Sequence, residues 1–410
     1  MTVTTTEDVA RSRGGRERTT GLDRRLLRIA VIAFLVLRAV STLMGVAAAE
    51  LGTPVEEIPE NARELLGEDQ LDSGVSRYLL DPWQRHDTVR YLRIAREGYS
   101  HSIDSVFAPL YPLLIRAVAT PLGGDSAARM LAALIVSNTA LIGLLYVFLR
   151  LVSSNFDDRT AIRSMIALLV FPTGFFLAAG YAEPLTLFAL FASLLQLQKG
   201  RTLQAGMLGA VAALSRLTGW VASIPIAWSL WHRRHEVRAA GPATVAKEVA
   251  AAGLPIVASA SFLAYRWLNG LPSITWVYEN EWFSETSWPG HDFLLSFWWI
   301  VSGSVPEGTA FSFYIDFLAV CLALAAWRWS WNRMPRTWVM YTIAATLFMM
   351  LPVNHAVTHR SVSRYVLAVF PVFVMLASIR SARLRRTLAM VSGTLSLIFM
   401  FTFGSWYWVA

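Results

Sequence analysis

The sequence predicts an all-α polytopic membrane protein, and three observations carry that expectation. Hydrophobic residues make up 55% of the 410 and charged residues only 16%, with a mean hydropathy of +0.46. That leaves too little polar surface to coat a soluble globule of this length. Apolar runs long enough to cross the hydrocarbon as helix, which takes about 20 residues, recur along the chain, as at 26–48 and 130–149. No series of short alternating strands appears, so the backbone hydrogen bonds are expected to close within helices and not around a barrel.

Residues 1–25 are polar and Thr/Arg/Gly-rich and are expected to form a disordered cytoplasmic segment, with 26–410 a single transmembrane domain. The stretch "LDRRLLRIAV" followed by an apolar run and Ala47-Ala48-Ala49 imitates a secretory signal. The run exceeds the roughly 7 to 15 residues of a signal core and Arg38 interrupts it, so it reads as a retained anchor. Arg24-Arg25 also resembles a twin-arginine export signal, but that route suits pre-folded soluble cargo.

Arg-rich connections face the cytoplasm. Here they are the N-terminal segment through Arg28 and the loops at 198–201, 231–238, 327–336 and 380–386, with a weaker one at 150–163. With the first helix running outward, crossings follow near 128–151, 161–180, 184–198, 246–268, 310–328, 336–353, 364–380 and 386–408. Two short crossings at 203–231 meet at a tip near Thr218-Gly219, for about eleven in all. Residues 49–124 form the first external loop, in which 109–124 is a half-helix or an interfacial helix on the outer side. The same parity puts "YAEP" at 181–184, the Arg216 turn, the Trp-rich loop at 269–292 and "NHAVTHRSVSR" at 354–364 on the external face.

Several function classes drop out. The one cysteine, Cys321, excludes an internal disulfide and a zinc cluster. The net charge of +8 comes from Arg at the ends of apolar segments, so no nucleic-acid partner is expected. There is no fixed-period repeat, P-loop, dinucleotide-type glycine motif or soluble nucleotide domain, so an enzyme built this way takes its donor from the lipid. Lys199 and Lys247 are the only lysines in an Arg- and Ala-rich chain, a composition associated with bacteria of high genomic GC and hence with a bacterial plasma membrane.

The stretch "WQRHDTVRYLRIAREGY" at 83–99 with "FAPLYPLLIR" at 107–116, then "FPTGFFLAAGYAEPLTLF" at 171–188, "AALSRLTGW" at 212–220 and "SRYVLAVFPVFVMLA" at 363–377, resembles the PIG-V-type mannosyltransferases and their prokaryotic relatives. The four motifs stand in family order across most of the chain. The resemblance implies the GT-C fold, a helix bundle whose external cavity takes a sugar from a polyprenyl-phosphate donor lipid and passes it to a hydroxyl. It also implies no metal and no cofactor, and a functional carboxylate in a Trp-Asp pattern that falls on Asp87, with His86 where the Trp would stand.

The residues support that chemistry one by one. A carboxylate within reach of an acceptor hydroxyl serves as general base, which is the role expected of Asp87; the plainer reading is a solvated loop acid paired with Arg85 or Arg90. His86 assists the base, orients the sugar or replaces the aromatic. Tyr91, Ile94 and Tyr99 mark an amphipathic interfacial helix with Arg90, Arg93 and Glu97 toward water or headgroups. Glu183 is either a helix first-turn acid or a sugar or acceptor ligand, and Tyr181 is placed to stack on a sugar ring. Arg216 interrupts an apolar stretch and needs a partner: a lipid phosphate, or a carboxylate such as Glu183 or Asp87. His355, His359, Arg360 and Arg364 are expected at the outer boundary, where guanidinium forks match the oxygens of a departing phosphate, against the plainer reading of a basic loop on anionic headgroups. His355 and His359 stand at metal-ligand spacing without a third ligand nearby.

The expected protein is therefore a membrane glycosyltransferase acting on a glycolipid, glycan or protein acceptor. A flippase for lipid-linked sugars and a non-catalytic partner of the same fold are the alternatives.

Overall fold

A computed structural model describes residues 6–52, 67–305, 311–353 and 361–409. Its helices of seven residues or more are α1 (Thr6–Leu51), α2 (Asp87–Glu97), α3 (Leu110–Ala119), α4 (Ser126–Ser153), α5 (Asp158–Leu169), α6 (Glu183–Gln198), α7 (Thr202–Ser215), α8 (Ser223–His232), α9 (Pro242–Leu268), α10 (Ile274–Glu281), α11 (His291–Ser302), α12 (Ser312–Ser330), α13 (Arg336–Met349), α14 (Pro371–Ala377) and α15 (Ala382–Gly404). Short polar side chains set several starts by accepting an otherwise unpaired N–H. Asp125 caps α4 through Ala128 N–H at 2.7 Å, Asp157 caps α5 through Thr160 N–H at 3.0 Å and Ser381 caps α15 through Leu384 N–H at 3.2 Å. The first helix begins at Thr6, within the 1–25 segment expected to be disordered. Once its apolar turns exist, adding helix costs far less than nucleating it.

Among the described residues, five helices are long and apolar enough to cross a membrane: Asp23–Leu51 within α1, Ser126–Ser153, Pro242–Leu268, Phe313–Ser330 within α12, and Ala382–Gly404. The chain is an all-α integral membrane protein on that basis. The other expected crossings fall on α5 to α8, α13 and α14, which run from 7 to 16 residues, short of the roughly 20 a full span needs.

Where these short helices end has a pattern. Pro172 follows the end of α5, and a 3₁₀ turn at Gly174–Leu177 leads into α6. Another 3₁₀ turn, Leu217–Ala222, joins α7 to α8, and the single turn Val362–Tyr365 with Val366–Ala368 precedes α14. Non-helical backbone at membrane depth persists where it lines a cavity or is buried in protein, because lipid offers it no hydrogen bonds. All three breaks carry residues of the site described below.

Two devices hold the breaks together. The α7 seam against α9 uses small residues: a Cβ on Gly206 would lie 2.3 Å from the Ala251 carbonyl oxygen, and one on Gly209 would lie 2.7 Å from the Pro255 ring. At the other side Phe403, near the end of α15, packs its ring against Phe175 and Phe176 at 5.5 Å each, Tyr181 at 6.0 Å and His86 at 5.3 Å. Arg38, the charge inside α1, donates to the Ala178 carbonyl at 2.9 Å and lies over the Trp83 ring. It thereby satisfies a carbonyl that the break after α5 leaves outside a helix. A two-residue antiparallel pairing, Glu285–Thr286 with Pro352–Val353, ties the Trp-rich loop to the chain after α13.

The interfacial helix differs from expectation in its charges. Arg93 is 3% exposed and its Nε meets Asp104 Oδ2 at 2.5 Å, while Arg90 Nη1 reaches Oδ1 of the same acid at 3.2 Å. Arg93 is thus shut away from water and Arg90 meets it only in part, while Glu97 is exposed as expected. The turn at Ser102–Val106 folds back and buries Asp104 against α2, which sequence periodicity alone does not reveal.

Candidate functional site

Four acidic and basic side chains from four separate stretches form one buried chain of contacts. Arg364 Nη1 donates to Asp87 Oδ2 at 2.8 Å, and its Nε lies 3.3 Å from Glu183 Oε1. Arg216 also pairs with Glu183 Oε1. Asp87, Glu183 and Arg364 are each no more than 5% exposed. Two acids facing two bases balance formally, which is the condition for keeping charge at such depth; removing one member of a buried pair typically costs about 3–5 kcal/mol.

Local structure explains each placement. Asp87 opens α2, where the positive helix end favours a carboxylate. Glu183 opens α6 with Pro184 directly after it, and a proline costs nothing there because that N–H has no helical partner. Arg216 sits at the C-terminal end of α7 in extended backbone. The following turn is folded so closely onto α7 that a Cβ on Gly219 would stand 2.2 Å from the Ala212 carbonyl carbon, so only glycine fits. Arg364 lies in the single turn Val362–Tyr365. Its guanidinium rests over the rings of Phe176, Tyr181 and Tyr365 at 5.3, 5.4 and 5.7 Å, and Arg216 covers Tyr365 at 5.3 Å. Aromatic faces carry cations well when water is excluded.

Beside this network lies a cavity of about 50 Å³, lined by Glu183, Arg216 and Arg364 together with Thr186, Thr218 and Phe348 among others. Glu183 Oε2 is buried and makes no hydrogen bond among the described residues. The cavity has room for a few waters, against the roughly 300 Å³ or more of a typical small-molecule site.

The expected site residues divide as follows. Asp87, Glu183, Arg216 and Arg364 are brought together. Tyr181 adjoins them, 1% exposed, with the Arg364 guanidinium over its ring where a sugar was expected to stack. His86 spends its ring on Phe403, Trp406 and Trp408, and its Nε2–H donates to the Tyr407 carbonyl at 3.2 Å. This enclosure removes water from the imidazole and pushes its pKa down to about 4; neighbouring Asp87 opposes the shift and Arg85 adds to it. The backbone at His86 has φ +50° and ψ −122°, a strained conformation for any residue but glycine, at the position where the chain turns into α2. His355, His359 and Arg360 lie outside the described residues. Sequence reasoning passed over Tyr365, which stands between the two arginines, and Asp316, an acid inside the apolar stretch "FYIDFLAV" that the scarcity of charge at membrane depth could have flagged.

An integral membrane bundle with a buried acid and base cluster at its broken helices is the class of protein these observations define. The sequence profile of the mannosyltransferase (PIG-V) family matches residues 28–240, more than half of the chain, and the chain belongs to that family. Among curated proteins it is similar to GPI alpha-1,6-mannosyltransferase 2 of Mus musculus, 34% identical over 163 residues, which are 37% of this chain and 32% of that protein. The Cricetulus griseus protein of the same name is 33% identical over 164 residues. The matches thus span about a third of the length of these relatives. Among solved structures, ArnT from Cupriavidus metallidurans in the apo state aligns over 90% of this chain and 75% of its own, at 12% identity and a TM-score of 0.45. The Archaeoglobus fulgidus oligosaccharyltransferase in complex with zinc and sulfate aligns over 90% of this chain and 53% of its own, at 14% identity and a TM-score of 0.42.

Proposed function

We propose that the chain is a GT-C membrane mannosyltransferase that moves mannose from a polyprenyl-phosphate carrier to an acceptor hydroxyl of a glycolipid, glycan or protein, on the external face of a bacterial plasma membrane. The observation that carries the reading is the buried contact chain Asp87–Arg364–Glu183–Arg216 at three broken helices, in a member of a mannosyltransferase family. In the reaction, the acceptor oxygen forms a bond to the anomeric carbon as that carbon's bond to the phosphate oxygen breaks, with inversion. The electron pair leaves on the phosphate, and the acceptor proton passes to the Asp87 carboxylate. Arg216 and Arg364 take up the charge that grows on the leaving phosphate, which preorganised guanidinium groups do best where water is excluded. Arg364 contacts Asp87 directly, so phosphate drawing Arg364 toward itself releases the carboxylate for the acceptor. Glu183 binds sugar hydroxyls through its free oxygen, Tyr181 supports the guanidinium, and His86 takes the place of the family's aromatic. His355, His359 and Arg360 belong to the same proposal as phosphate and sugar ligands.

The test is purified protein with a polyprenyl-phosphate mannose and a panel of acceptors. Asp87→Asn is expected to lower transfer by about 10²- to 10⁴-fold while the protein still binds donor, the range a positioned base contributes. Movement of the lipid across vesicles without transfer would instead identify a flippase, and neither activity would identify a non-catalytic partner.

A further inference from the structure

The peptide that carries Arg364 is gripped from both sides. The Ser363 N–H donates to Asp316 Oδ1 at 2.7 Å, and the Ser363 carbonyl accepts from the Thr173 hydroxyl at 2.7 Å. Thr173 and Ser363 are fully buried and Asp316 is 2% exposed. Asp316 comes from α12 and Thr173 from the turn after α5, so two distant parts of the chain close on a single residue. The grip is needed because Val362–Tyr365 is one helical turn, too short to hold itself, and its first N–H groups have no partners inside the turn. Ser361 before it has φ +64°, which adds to what the surroundings must hold in place. From this turn the Arg364 guanidinium meets Asp87 and Glu183 at 2.8 and 3.3 Å, and a shift of about 1 Å in its backbone is enough to lose such contacts.

We propose that Thr173 is a positioning residue for transfer: its hydroxyl fixes the backbone from which Arg364 reaches the leaving phosphate. The proposal rests on the reading of Arg364 given above. It extends the site to the "FPTG" turn, where the Thr173 hydroxyl acts on the Ser363 carbonyl and through it on Arg364.

The experiment compares Thr173→Val, which keeps the shape and loses the donor, with Thr173→Ser, which keeps the donor, and with Arg364→Gln, all in the full chain. Thr173→Val is expected to raise the donor KM and lower kcat, with kcat/KM down about tenfold. Thr173→Ser is expected to recover to within about twofold of the wild type, a rescue that lost packing alone does not produce. Wild-type kinetics in Thr173→Val, or a Thr173→Ser as impaired as Thr173→Val, overturns the positioning role while Arg364→Gln remains inactive. Full activity in Arg364→Gln overturns the phosphate-binding reading itself, and the positioning role falls with it.

Discussion

At the scale of single residues, what was legible in the sequence was charge in the wrong solvent. Glu183, Arg216 and Arg364 stand beside or inside apolar segments and had to find opposite charges, whereas Asp87, in a charge-rich loop, was marked by the family resemblance; the structure pairs the four with one another. Thr173 had no such signal, because a hydroxyl in an apolar turn is unremarkable until its partner from 190 residues away is known. His86 was legible as an oddity beside the acid, but its enclosure by Phe403, Trp406 and Trp408 depends on the docking of the α15 end. That enclosure has a pH consequence. The folded protein holds the imidazole neutral down to about pH 4, whereas an unfolded chain protonates it near 6.5. The unfolded state therefore binds more protons between these values, and the stability contribution, complete above about pH 6.5, is lost as pH falls toward 4. In detergent micelles, the melting temperature of the wild type is expected to fall more steeply between pH 7 and 5 than that of His86→Phe; equal slopes would refute this role.

At the scale of elements, hydropathy located the apolar segments but not their internal breaks. Among the described residues, length and composition support five spans, while α5 to α8, α13 and α14 coincide with further expected crossings and stop short. The cause is tertiary. A 3₁₀ turn such as Leu217–Ala222 forms because the chain folds back onto α7, and the apolar composition of its residues does not distinguish it from a continuing helix. Gly219 was visible only as the tip of a turn, yet it is the residue that permits the close approach. Gly219→Ala is expected to push that turn from α7, destabilising the fold by about 1–3 kcal/mol and displacing Arg216 with it. Gly253→Ala, on α9 with nothing within 4 Å of the new methyl, is the matched control and is expected to be neutral or to gain up to about 1 kcal/mol. Thermal denaturation with parallel transfer assays separates the two.

For the whole molecule, the distribution of arginine predicts sidedness. The loop after α2 is expected outside and the basic segment before α9 inside. In a background with Cys321 replaced, a cysteine at exposed Ser100 is expected to react with a membrane-impermeant maleimide in intact cells, and one at exposed Ala240 only after permeabilisation. The reverse pattern would invert the orientation and put the Asp87 cluster on the cytoplasmic side.

The glycine seam between α7 and α9 bears on which side of the cavity can move. Backbone packed against backbone at Gly206, with the 217–222 turn seated on α7 in the same manner, leaves that flank nothing to compress. The cavity beside the site, about 50 Å³, is smaller than the roughly 300 Å³ of a typical small-molecule site. Phe348 and Met349 of α13 line the cavity together with Tyr365 and Ala368, and side chains of this kind can change rotamer. The seam thus acts as a fixed jamb, so any widening of the cavity falls to the side lined by the side chains of α13.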